Sequence, residues 1–303
     1  MTDSFVESGG VRIATRDHGG SGSPVLLVPG AGRTLEDFTP LAPLLAAEHR
    51  VVSLDVRCHG LSDVAPFVLE HVLDDVLAVG AHYGFERPAV VGHSMGGMFA
   101  ALLGTRPGVL SAAVNVDGHG SGRPGQFLGI SDDRAAELKA SMVALQDSAQ
   151  RPILTPDAVA VMKPALIAQF ESRGLSAAFA EAVIARTVAE LPDGTFETRP
   201  HAVSAKELGA TLESLELLAT YRATTVPLLV YNCTSPQLPP GLPDWVPELM
   251  KALRDGLRRD LTALAVEHPL VSTIEVPDSG HDVHLDNTEL LAEQVNDFLA
   301  RGC

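Results

Sequence analysis

Ser94 sits in Gly92-His93-Ser94-Met95-Gly96, a G-x-S-x-G pentad followed by a further glycine, Gly97. A serine hydroxyl is a poor nucleophile by itself, so it attacks only when it is thrust into the open beside a base. The pentad can do the first of these when a strand runs into it and a helix leaves it. Both flanks fit. Ala89 to Val91, led in by Pro88, is apolar and β-branched, and Met98 to Leu103 is a run of small and apolar residues at helical density. The turn between them is tight, so the positions two before and two after the serine must lack bulk, and Gly92 and Gly96 satisfy that. The chemistry is nucleophilic catalysis by Ser94, with the next backbone N–H aimed at the reacting centre.

Such a serine needs a sheet behind it, and the flanking sequence supplies one. Residues 4 to 17 alternate around Gly9-Gly10 and predict an N-terminal hairpin at a sheet edge. Pro24 to Val28 and Arg50 to Asp55 read as strands buried on both faces. Thr34 to His49 and Glu70 to Tyr83 read as helices, and Ala112 to Val116 as the strand after the helix that leaves the Ser94 turn, the elbow. Strand and helix alternate, the pattern of a parallel sheet with helices on both faces. Pro29-Gly30-Ala31-Gly32-Arg33 closes the early strand and can cradle an anion with its N–H groups. It lacks the G-x-x-x-x-G-K-[ST] of a phosphate loop.

From His119 to about Thr225 the alternation stops. The stretch shows helical runs, Asp132 to Gln150, Asp157 to Glu171, Ala177 to Glu190 and Val203 to Thr220, and no strand. Pro152, Pro156, Gly174, Pro192 and Pro200 punctuate it. A helical block set between two sheet strands predicts a cap over residues 119–225, with a core of residues 1–118 and 226–303. The core resumes at Val226 to Tyr231, continues through a proline-rich loop from Ser235 to Pro243, and forms a helix from Asp244 to Glu267. A last strand, Leu270 to Val276, leads to the loop Pro277 to Asp282, and Thr288 to Ala300 closes the chain as a helix.

The chain has 303 residues, 46% of them hydrophobic, a formal net charge of -16 and a mean hydropathy of +0.16. Such a chain can bury a substantial core. Its charge argues against nucleic acid and anionic membranes, both of which call for basic patches. Cys58, Cys233 and Cys303 form no spaced pattern, which fits a reducing compartment and predicts a cytoplasmic protein without a disulfide framework. The N-terminus shows no signal peptide. No apolar run approaches the roughly 20 residues of a membrane span. His59, His119 and His284 form no zinc-ligand spacing, and the reading calls for no metal and no cofactor.

Four stretches together resemble the α/β-hydrolase superfamily, in its capped serine-hydrolase branch. They are Pro29-Gly30-Ala31-Gly32, Asp55-Val56-Arg57-Cys58-His59-Gly60-Leu61-Ser62, Gly92-His93-Ser94-Met95-Gly96 and Ser279-Gly280-His281-Asp282. The resemblance implies an α/β fold, a mostly parallel central sheet flanked by helices, with the cap inserted after the strand that follows the elbow helix. It implies that His281 is the general base and that the N–H groups of Ala31 and Met95 form the oxyanion hole. Typical members carry His-Gly where this chain has Pro29-Gly30, and glycine where it has Cys58. The oxyanion donor lies one residue beyond Gly30, and Cys58 reads as a small buried side chain.

The third member of a triad is where the chain departs furthest. Most relatives place the orienting acid just past the strand that here is Val226 to Tyr231, but Asn232 to Gln237 holds no carboxylate. A minority place it one strand earlier. There Asp117 ends its strand 23 residues past Ser94. Asp117 is the favoured acid, Asp244 behind its prolines is the second choice, and a Ser-His dyad the third. The implied activity is hydrolysis of a small or medium-sized, largely apolar carboxylic ester or lactone through an acyl-enzyme. Carbon–carbon bond cleavage, thioester cleavage and perhydrolysis use the same machinery, and a receptor that binds without turnover is the alternative of another class. The serine disfavours epoxide hydrolases and haloalkane dehalogenases, which carry aspartate there. The implied partner is a small-molecule substrate.

Overall fold

The computed structural model describes residues 2–148, 153–235, 241–277 and 279–302. In chain order the elements are β1 (Asp3–Ser8), β2 (Val11–Gly19), β3 (Pro24–Val28), α1 (Ala42–Leu45), β4 (Arg50–Leu54), α2 (Leu69–His82), β5 (Ala89–His93), α3 (Met95–Gly104) and β6 (Ala112–Val116). They continue as α4 (Asp132–Ser148), α5 (Pro156–Ser172), α6 (Ala177–Thr187), β7 (Val188–Glu190), β8 (Phe196–Thr198), α7 (Ala202–Ser214) and α8 (Leu217–Arg222). The chain finishes with β9 (Leu228–Cys233), α9 (Trp245–Glu267), β10 (Val271–Val276), α10 (Val283–Asp286) and α11 (Thr288–Gly302).

Eight strands form the central sheet in the order β1-β2-β4-β3-β5-β6-β9-β10. β1 and β2 are antiparallel, as is β2 against β4, and the other neighbours are parallel. The uninterrupted apolar strands are buried on both faces, as a covered parallel sheet requires. Leu26, Val52, Val90 and Leu228 face Val76, Phe99 and Leu261, from α2, α3 and α9. Val25, Val51, Val91 and Leu229 face Leu41, Leu45, Leu291 and Val295, from the α1 region and α11. Each such side chain contributes roughly 1.5–3 kcal/mol on burial, so these layers hold the sheet rigid beneath the loops at its strand ends.

Several expectations are corrected. Thr34 to His49 is not one helix: a 3-10 turn at Leu35–Phe38 and α1 replace it. Pro40 and Pro43 lack the N–H groups that would have continued the ladder. The block 119–225 is not free of strands, because β7 and β8 form an antiparallel hairpin. α6 therefore ends at Thr187 rather than Glu190. Val188 stands at the end of that helix, and its β-branch favours the extended backbone found there. Val203 to Thr220 divides into α7 and α8 at extended Leu215. Parts of the proline-rich loop, the last two residues of the run to Gln150, Pro152, Asp278 and Cys303 lie outside the described residues.

The block packs on the core at several points. Phe179 and Val183 of α6 meet Leu285 of α10. Phe127 and Leu138 meet Leu249 and Leu253 of α9. Leu208, Leu217 and Tyr221 join the main core.

Candidate active site

The site gathers at the C-terminal ends of the parallel strands, where open α/β sheets place their ligands. β5 hands directly to α3 through Ser94, whose φ of 52° and ψ of -118° lie outside the ordinary regions for a residue with a side chain. Two things enforce this strain. Ser94 N–H donates to the Val116 carbonyl at 2.8 Å. The glycines allow α3 to close on the sheet: a Cβ on Gly92 would stand 2.0 Å from the Gly96 carbonyl oxygen, and one on Gly96 2.1 Å from that of Val28. Ser94 is partly exposed, and its hydroxyl has no hydrogen-bond partner among the described residues.

Met95 is the first residue of α3, so its N–H has no partner within the helix and the positive end of the helix dipole lies beside Ser94. Ala31 is exposed in the loop after β3. Gly30 holds that loop against the elbow, where an added Cβ would lie 3.1 Å from both Ser94 Cβ and His93 Nδ1.

His281 follows β10 and is roughly half-exposed. Its Nδ1 lies 2.7 Å from Asp117 Oδ2. A carboxylate can only accept there, so Nδ1 carries the proton and Nε2 is left free as a base. Asp117 directly follows β6 in a left-handed conformation, φ 59°, and is 1% exposed. Burial by itself raises a carboxyl's pKa; the contacts from His119 and His281 and the charge of Arg254 outweigh it and hold Asp117 well below the usual carboxylate range. Asp244, the second choice, stands exposed at the start of α9.

The distant supports of Asp117 carry no local signal in the sequence. Arg254, on α9, reaches it with two nitrogens, at 2.5 Å to Oδ1 and 2.7 Å to Oδ2. Cys233 N–H, at the end of β9, donates to Oδ1 at 2.9 Å. Tyr221 and Asn115 pin the turn beyond it: Asn115 donates to the Gly118 carbonyl at 2.8 Å, and Tyr221 does so at 3.0 Å. The long helix reads from sequence only as apolar on one side and charged on the other.

Beneath the elbow lies a buried polar cluster. His93 Nε2 donates to the His281 carbonyl at 2.9 Å. Burial, then the neighbouring His284 and His281, push the His93 ring well below the usual histidine range, so it stays neutral. Burial pushes His284 down to about 3. Arg33 sits 2.5 Å from Asp282, and Arg173, which caps α5, reaches Asp282 at 3.1 Å and Asp286 at 2.7 Å. His93, Asp282 and His284 bring one possible metal-ligand atom each within 4.8 Å of one another, a grouping their sequence spacing conceals. The guanidinium groups of Arg33 and Arg173 already neutralise its one carboxylate and repel a cation, and the donor set does not fit a resident metal.

Cys58, in the loop after β4, is fully buried with φ 68°, so it occupies a backbone conformation that suits glycine, and its thiol donates to the Ala65 carbonyl at 3.0 Å. A cavity of about 270 Å³ opens between the His119–Gln126 loop and α8. Of the site residues and their supports it is lined by His119 and Tyr221, rather than by Ser94.

Among known proteins, residues 25–294 match the family model described as the Alpha/beta hydrolase family. A serine hydrolase-like protein of Danio rerio is 26% identical over 92% of this chain and 82% of its own. The dihydrolipoyllysine-residue acetyltransferase component of the acetoin cleaving system of Pseudomonas putida is 34% identical over 46% of this chain, and the match spans 40% of that protein's length. Among solved structures, an E-2-(acetamidomethylene)succinate hydrolase superposes with a TM-score of 0.70 at 19% identity, over 99% of both chains.

Proposed function

The chain belongs to the alpha/beta hydrolase family, and from that premise we propose that it is a serine hydrolase acting on a small or medium-sized, largely apolar carboxylic ester or lactone through an acyl-enzyme on Ser94. The observation that carries this reading is the 2.7 Å contact between His281 Nδ1 and Asp117 Oδ2 beside a serine held at φ 52°.

Ser94 Oγ attacks the carbonyl carbon while His281 Nε2 takes its proton. Asp117 keeps the proton on Nδ1 and stabilises the imidazolium. The carbonyl oxygen becomes an anion against the N–H groups of Ala31 and Met95, a pair in which one donor is worth about 3 kcal/mol. The imidazolium returns its proton to the leaving oxygen, and the alcohol departs, or stays tethered when the substrate is a lactone. Water, deprotonated by His281, then attacks the acyl carbon, and the imidazolium returns that proton to Ser94 Oγ as the ester bond breaks and the acid leaves.

Residues 119–225 are assigned as a cap over this site, on a core of 1–118 and 226–303. The packing of Phe179 and Val183 on Leu285, and the pairing of Arg173 with Asp282 and Asp286, support it. Among the described residues no helix is long and apolar enough to cross a membrane. Cys58 and Cys233 are buried free thiols, in keeping with a cytoplasmic setting.

The test is intact-mass analysis after exposure to a fluorophosphonate. Wild type gains one adduct that maps to Ser94, and Ser94→Ala gains none and loses at least about 10³-fold in kcat on any ester the wild type cleaves. An adduct elsewhere, or an active Ser94→Ala, overturns the assignment. A panel of oxyesters, lactones, thioesters and β-diketones then ranks the bond cleaved.

A further inference from the structure

We propose that Arg254 is a positioning residue for the acid: its guanidinium grips both oxygens of Asp117 and so sets which of them faces His281. The inference rests on the reading of Asp117 as the acid of the triad.

Asp117 has two oxygens and several claimants. Oδ2 receives His281 Nδ1 at 2.7 Å and Arg254 at 2.7 Å, while Oδ1 receives Cys233 N–H at 2.9 Å and Arg254 at 2.5 Å. His119 stands 3.5 Å from Oδ1, its Nε2 donating to the Tyr231 carbonyl at 2.7 Å. A carboxylate turns easily about its bond to the chain. Held by one backbone N–H alone, it could turn its plane away from His281. A guanidinium is planar and presents two parallel N–H groups, so gripping both oxygens fixes the plane of the carboxylate. Arg254 is itself steadied, with Asn232 Oδ1 at 3.3 Å and a side chain only 12% exposed. Lysine, a point charge on a flexible stem, would keep the charge and lose the fork.

The grip has an electrostatic cost. A cation on Asp117 weakens the pull that the carboxylate exerts on a proton at His281. The charged and titratable groups facing the pair are Arg254 from α9, His119 after β6, Cys233 from β9, Tyr221 from α8, His93 from β5, and Asp282 and His284 beyond His281. Of the cationic side chains near them, Arg254 touches Asp117, Arg33 is spoken for by Asp37 and Asp282, and Arg173 by Asp282 and Asp286. Removing the Arg254 guanidinium therefore favours protonation of the His281–Asp117 pair.

The experiment is the pH profile of kcat/KM on a p-nitrophenyl ester for wild type, Arg254→Lys, Arg254→Met and Asp117→Asn, with thermal unfolding of each. Arg254→Lys is expected to keep the acidic limb in place and lose about tenfold in kcat, as a misplaced group does. Arg254→Met is expected to lose about 10²-fold and to move the acidic limb to higher pH by roughly half a unit or more. A folded Arg254→Met with a wild-type limb overturns the proposal, whatever its thermal stability. Should Arg254→Met not fold, Arg254→Lys decides, and wild-type kcat there overturns it. If Asp117→Asn turns over like wild type, the reading of Asp117 fails first. If Asp117→Asn is crippled while the Arg254 variants are not, the grip alone fails.

Discussion

His281 and Asp117 are separated by 164 residues, yet Nδ1 of the one stands 2.7 Å from Oδ2 of the other. The histidine ring is roughly half-exposed and the carboxylate is wholly enclosed. That asymmetry suits a base that must reach substrate and an acid that must not move. It also makes the pair sensitive to substitutions that leave the fold in place.

Asp117→Asn keeps the shape of the side chain and removes its charge. An amide can offer its N–H to Nδ1, which forces the wrong tautomer on the ring. Loss of kcat by roughly 10³–10⁴-fold is expected, with thermal unfolding near wild type. Asp244→Asn, an exposed change at the start of α9, is expected to stay within about twofold of wild type, since surface sites rarely exceed half a kcal/mol. Steady-state kinetics of the two variants on one ester decide the acid, and a reversed order returns the role to Asp244.

Gly30 tests the oxyanion loop. A methyl group there would sit 3.1 Å from Ser94 Cβ and His93 Nδ1, both fixed in buried or strained backbone. Relief comes from the loop, which carries Ala31 N–H away from the reacting centre. Gly30→Ala is expected to lower kcat by about 10–100-fold, the scale of one misplaced donor, and to change KM by less than about threefold. A wild-type kcat would place the oxyanion elsewhere.

Asp282 tests the cluster beneath the elbow. Burial alone would raise its pKa, but Arg33 first, then His284 and His93, hold it far below the usual carboxylate range. A carboxyl depressed in the folded state contributes stability above its unfolded value, near pH 4, and loses it as pH falls toward the folded one. Asp282→Asn is thus expected to cost about 2 kcal/mol at pH 7, where Arg33 and Arg173 each lose one of their two carboxylate partners. The gap to wild type should close as pH drops below about 4. Urea unfolding across pH 2–7 measures it, and a gap of constant size would exclude the ion pairs as its source.

What the sequence alone determines here is local. Pro24 to Val28 is apolar throughout, and Arg50 to Leu54 and Ala89 to His93 are apolar through their middles and almost wholly buried, as strands of a sheet covered on both faces are. The elbow is legible for the same reason: Gly92 and Gly96 are needed by the turn in which they stand. The split of α1 from its neighbouring turn and the β7–β8 hairpin were harder to read, because short segments with mixed propensity take their form from what they pack on. The tertiary structure decided which distant groups meet. Arg254 looks like any charged residue on an amphipathic helix until α9 lays it across the end of β6, 137 residues away. His93, Asp282 and His284 have no telling spacing, and become one cluster only because the loop after β10 folds back to the C-terminal end of the central strand β5. Local propensity acts over a few residues, whereas a carboxylate finds its partners wherever packing delivers them, so Asp117 could be singled out from the chain as a candidate and the groups around it could not.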